Sequence, residues 1–173
     1  MDKRAEISKR LKMYYQCELM NVVLMPGTMF GYAIYKGQKI GWTSVAACVP
    51  MCTLLLIGGL YWLAKYKAIH GKRTLLPKVM ARASVLQWPL CIMSVAAFAL
   101  VIAVWVVPGI THSTGDKAIT SFAGIMALLE YINYYHRQLQ HFDRAADFKR
   151  LLAGKGFRPA QMAVDLRKWR ARR

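Results

Sequence analysis

Residues 41–66 read GWTSVAACVPMCTLLLIGGLYWLAKY, and no charged side chain interrupts them before Lys65. A hydrocarbon core of roughly 30 Å needs about 20 apolar residues in a helix. This stretch exceeds that minimum, so it crosses a bilayer with some tilt or runs on beyond it. Working outward, comparable apolar stretches occur at Cys17–Tyr35, Val85–Val107 and Ala118–Tyr135. The connections between them are too short for a further domain. The expected fold is all-α: a four-span membrane helix bundle over residues 17–136, with a basic head (1–16) and a basic helical tail (137–173).

Charge gives the orientation. The chain carries a formal +17. The head holds Lys3, Arg4, Lys9, Arg10 and Lys12 against Asp2 and Glu6, for +3. The second connection holds Lys65, Lys67, Lys72, Arg73, Lys78 and Arg82 with no acid, for +6. From Arg137 onward eleven Lys or Arg face Asp143, Asp147 and Asp165, for +8. The first connection has only Lys36 and Lys39, and the third sets Asp116 against Lys117. Basic residues stay cytoplasmic, so both termini and the second connection are expected inside. Tyr and Trp concentrate at membrane interfaces. Tyr14, Tyr15, Tyr61, Trp62, Tyr66, Trp88, Tyr131, Tyr134 and Tyr135 fit the inner boundary; Tyr32, Tyr35, Trp42 and Trp105 fit the outer one. No small-residue cleavage site follows the first apolar run, so no removable signal is expected.

The basic segments have apolar partners in sequence. Between Lys65 and Ser84 the cations alternate with Leu75, Leu76, Val79 and Met80, and Pro77 is expected to interrupt any long helix there. The helical pattern of the fourth span runs on to about Ala153, where Gly154 supplies a stop. Pro159 suits the first turn of a final helix, whose Met162, Leu166 and Trp169 share one face. Such a helix is expected to lie on the inner leaflet. Lys65, Lys67, Lys72, Arg73, Arg167, Lys168 and Arg170 are then the candidate contacts to anionic head groups, each cation gaining about 1 kcal/mol near such a surface. Nucleic-acid binding is not needed to explain the charge, because orientation already does. In span one, Gly27 and Gly31 bare a strip that is expected to admit a neighbouring helix of the same chain, the alternative being a dimer seam.

Two constellations carry candidate chemistry. At about 100° per residue, Glu130, Tyr134, Arg137 and His141 fall in a sector of roughly 60°. An intramembrane carboxylate is costly and a functional candidate by default, and Glu18 or Asn21 of span one is its expected inter-helix partner. The sector reads as a cytoplasm-facing polar cleft or as a structural clamp. The second constellation pairs Met25 and Met29 with Cys48 and Cys52 near mid-membrane. Thioether and thiolate suit copper(I), but the same residues are ordinary packing, so no metal or other cofactor is expected.

Glu130–Asp143, with Ala146–Leu152 and Gly154–Arg158, resembles the tail of small uncharacterised four-span bacterial inner-membrane proteins. That resemblance implies a bacterial inner (plasma) membrane location and no particular activity. The expected function is therefore non-enzymatic: an accessory or scaffold subunit that contacts anionic lipid and a protein partner, or a second copy of itself, through its basic cytoplasmic face. The alternative is a membrane enzyme or proton-linked transporter working at the Glu130 cleft.

Overall fold

The computed structural model describes residues 3–139, 152–154 and 156–172. Within them are five helices: α1 (Lys3–Tyr35), α2 (Trp42–Ile69), α3 (Leu75–Val106), α4 (Thr114–Tyr135) and α5 (Gln161–Arg170). Three of these, α1 from Arg4 together with α2 and α3, are long and apolar enough to cross a membrane. The fourth expected span, Ala118–Tyr135, lies in the shorter α4 of 22 residues and is diluted by Thr120 and Glu130, both buried. Pro26, Pro50 and Pro89 stand inside the three long helices. Neighbouring helices make such breaks tolerable in a membrane.

Helix α2 is the hub. It packs on α1, α3 and α4, while α3 also packs on α4 and α1 barely reaches α4. Met51, Leu54, Leu55 and Tyr61 of α2 are almost wholly covered. Small residues set the distances. A Cβ on Gly124 would collide with the backbone carbonyl of Ala97, so α4 lies against α3 main chain. The outside of the bundle stays apolar: Val85, Trp88, Ile92, Ile102 and Trp105 of α3 are exposed, whereas Leu90, Ser94, Ala97 and Val104 turn inward. A helix apolar on its outer face as well as its inner one matches a lipid solvent.

Several local expectations change. Pro77 does not interrupt a helix; it is the third residue of α3, where the first-turn amides lack intrahelical partners anyway and a missing N–H costs little. Its apolar neighbours fold inward, Val79 and Met80 being buried. The helix of the fourth span does not run on past Tyr135, and residues 140–151 of the run expected to reach Ala153 lie outside the described residues. It ends at Tyr135, where His136 leaves helical geometry at φ −130°, ψ −71°. An antiparallel bridge between Arg137 and Pro159 follows it: the Gln138 amide donates to the Arg158 carbonyl at 2.9 Å, and the Ala160 amide to the His136 carbonyl at 3.1 Å. Pro159 therefore precedes α5 instead of opening it, and Ala160 is the N-cap. Gly154 does take a positive φ of 69°, as expected for a chain reversal there. Gly27 and Gly31 have no other atom within 4 Å of an added Cβ, so the strip expected to receive a neighbour within the chain receives none.

Candidate functional site

On α4, Glu130 and Tyr134 are one turn apart and stack on the same face. Tyr134 is buried and its hydroxyl donates to Oε1 of Glu18 on α1 at 2.5 Å. The side chain reaches α1 because α2 offers no Cβ in its way: one at Gly58 would overlap the phenol. Asn133 donates to Oε2 of Glu130 at 3.2 Å and accepts from the Leu139 amide at 2.9 Å. Glu130 and Tyr134 thus come together as the spacing predicted, and Glu18 joins them, bound to the tyrosine. Arg137 does not. Its Nη1 donates to the Phe157 carbonyl at 3.0 Å, beyond the end of α4. His141 lies outside the described residues. The resulting cluster joins α1 to α4 past Gly58 of α2, with two carboxylates about one phenol and, among the described residues, no basic side chain among its hydrogen-bond partners.

The basic residues divide into two kinds. Lys67, Lys72, Arg73, Arg167 and Lys168 are exposed. Lys65 and Arg170 hold α5 in place. Asp165 of α5 accepts from Lys65 at 2.8 Å and from the Tyr61 hydroxyl at 2.7 Å, and Arg170 donates to Ser84 at 3.1 Å and Gln87 at 2.7 Å. Met162 and Leu166 are buried against the bundle. The apolar face expected to rest on a leaflet is therefore occupied by the protein itself, because the buried methionine and leucine find a surface already formed by α2, α3 and α4. Sequence reasoning missed Asp165, although it is the sole acid after Asp147 and a lone acid among so many bases is a signal of pairing.

Asp116 was also missed. It was set against Lys117, but the Lys117 ammonium sits 4.8 Å from the centre of the Trp105 ring. The Asp116 carboxylate is fully buried and accepts from Ser44 at 2.5 Å, Thr43 at 3.3 Å and the His112 amide at 3.1 Å. Burial pushes its carboxyl up, but hydrogen bonds from Ser44, the His112 and Gly41 amides and Thr43 outweigh that and hold it below the usual carboxylate range. The readable signal was Ser113-x-x-Asp116, the spacing of a capping box: the Ser113 hydroxyl accepts from the Asp116 amide at 3.1 Å. This knot ties the start of α4 to the start of α2.

The soft-ligand residues lie on α1 and α2, which pack on one another. Met25 and Met29 line a groove between α1 and α4 that neither cysteine lines, and the Cys52 thiol is directed at the Val22 carbonyl at 3.6 Å. Among the described residues no group of three His, Cys, Asp or Glu is placed to hold a metal ion. Compared with known proteins, the chain matches no family model, no curated protein and no solved structure.

Proposed function

We propose that the chain is a four-span protein of a bacterial inner membrane, with both termini and the α2–α3 connection in the cytoplasm. It acts without catalysis, as an accessory or scaffold subunit whose basic face meets anionic lipid and a protein partner or second copy. One observation carries the reading: the three basic segments gather at one end of the bundle. Arg4 near the start of α1 donates to the Ile69 carbonyl at the end of α2 at 2.6 Å, and α5 is fastened to Lys65, Ser84 and Gln87 beside the same connection. The other end holds Lys36, Lys39 and Lys117, a weaker counterpart under the positive-inside rule. The aromatic pairs Tyr14–Trp62 and Tyr15–Tyr66 sit beside the basic end, as an interfacial belt would.

The test is reconstitution in bilayers that mix phosphatidylcholine with phosphatidylglycerol, reading lipid enrichment around the protein and the sidedness of single cysteines placed at positions 72 and 39. Enrichment of phosphatidylglycerol that falls when Lys67, Lys72 and Arg73 become Gln supports the reading. An unselective lipid shell, or positions 72 and 39 labelled from the same side, defeats it. Native mass of the gently solubilised assembly then reports a second polypeptide or a second copy.

A second reading, a proton-linked transporter or membrane enzyme, draws on the meeting of Glu18 and Glu130 at Tyr134. It requires aqueous access to Glu130, which is only 7% exposed. Labelling of Glu130 by a water-soluble carboxyl reagent in the intact protein favours this reading; no labelling removes it.

A further inference from the structure

Beyond the polar cluster, the end of α4 turns into the bridge with residues 158–160, and α5 returns across α3. Between them lies a cleft of about 410 Å³ lined by Arg137, Arg167 and Arg170 together with His136, Gln87 and Tyr135. No carboxylate lines it among the described residues. The nearest acid on α5, Asp165, is engaged on the Lys65 and Tyr61 side. Three guanidinium groups facing one space repel each other, and a fold that collects them there leaves a site for negative charge.

The donors have capacity to spare. Arg170 directs Nε and Nη2 at Ser84 and Gln87, leaving Nη1 free of a partner among the described residues. Arg137 uses only Nη1, on the Phe157 carbonyl. The Arg167 side chain makes no hydrogen bond or ion pair among the described residues, and it projects from an α5 held by buried Met162 and Leu166. Guanidinium forks match the oxygens of a tetrahedral oxyanion in pairs, which ammonium groups do not. Arginine supplies all three of the cleft's charges even though the chain is also rich in lysine.

We infer that this cleft is a binding site for a phosphate group, held by Arg137, Arg167 and Arg170. The inference rests on the proposed membrane orientation for one of two sources: at the cytoplasmic surface the phosphate belongs to an anionic lipid head group, and otherwise to a soluble phosphate. The same forks serve both.

The full chain is reconstituted in two bilayers: phosphatidylcholine alone with inorganic phosphate added, and phosphatidylcholine mixed with phosphatidylglycerol. Native mass spectrometry counts retained anions, while hydrogen exchange follows residues 157–172. A single retained phosphate-bearing species with slowed exchange in that segment is expected from at least one bilayer. Arg167→Ala should weaken it about tenfold, the loss of one charge-assisted contact, and among the described residues the Arg167 side chain has no bond whose removal would unfold the chain. Replacing Lys67, Lys72 and Arg73 by Gln removes more charge elsewhere and should leave the discrete species intact. The mass of the retained species names its source: phosphatidylglycerol or phosphatidylcholine assigns the phosphate to a lipid, and inorganic phosphate assigns it to a soluble source; both support the site. A discrete species absent from both bilayers, or equally retained by Arg167→Ala, overturns it. If diffuse phosphatidylglycerol enrichment persists in that case, the cleft is wrong and the broader surface reading stands. If discrete phosphate binding occurs without any such enrichment, the reverse holds.

Discussion

Tyr134 on α4 donates its hydroxyl hydrogen to Glu18 on α1 at 2.5 Å, across a helix that lies between them in the packing order. The contact exists because Gly58 of that middle helix leaves the phenol room. Gly58→Ala should therefore lower the thermal midpoint in detergent by the equivalent of about 1–3 kcal/mol, the usual cost of forcing extra volume into a filled interior. In a Tyr134→Leu background, which removes the colliding atoms, the same substitution should cost markedly less. Equal cost in both backgrounds would show that Gly58 is not there for Tyr134.

Asp116 predicts an acid limit. Its folded carboxyl titrates below its unfolded value, so the stabilisation it gives is fully present above the unfolded pKa of about 4. That stabilisation is lost as pH falls through the folded value. Wild-type stability should drop as pH is taken below about 4, and Asp116→Asn should flatten that part of the profile while lowering stability at neutral pH. An unchanged acid limb in Asp116→Asn would place the sensitive group elsewhere.

The fastening of α5 depends on one acid. Asp165→Asn and Lys65→Gln should each loosen α5, raising hydrogen exchange across Gln161–Arg170, and the double change should add little to either single one. The pair is partly exposed, with side-chain accessibilities of 28% for Lys65 and 16% for Asp165, so the coupling should be about 1 kcal/mol or less. Full additivity would mean that Tyr61 alone holds Asp165.

Ser94 makes the opposite kind of prediction. Its hydroxyl is buried without a hydrogen-bond partner among the described residues, and an unsatisfied buried polar group is a cost to the folded state. Ser94→Ala should be neutral or stabilising by up to about 1 kcal/mol in thermal unfolding. A clear loss would reveal a partner that this structure does not give the hydroxyl.

Apolar length was the easiest property to read in the sequence. Residues 42–69 and 75–106 form helices where the uncharged runs lie, and span one extends into its basic head because nothing between Lys3 and Cys17 breaks a helix. The ends were harder. Helical periodicity after Tyr135 is genuine in composition, yet the bridge to Pro159 lies more than 20 residues away in sequence, and no local signal announces a long-range pairing. Pro77 misled because its effect depends on whether it falls in the first turn or the interior. At the sites, the spacing of Glu130 and Tyr134 was visible, but their link to Glu18 depended on Gly58 of another helix. Asp116 and Asp165 were visible as charges and invisible as partners, since charge counting adds residues by segment and ignores which helix faces which.

The bridge joining His136–Gln138 to Arg158–Ala160 also separates length from architecture. Residues 136–138 and 158–160 are held together by their own backbone hydrogen bonds, so a change of chain length between them leaves that pairing point in place. Closing a longer excursion costs only about 0.6 kcal/mol for each doubling. That point is a natural socket for a reporter or an added module.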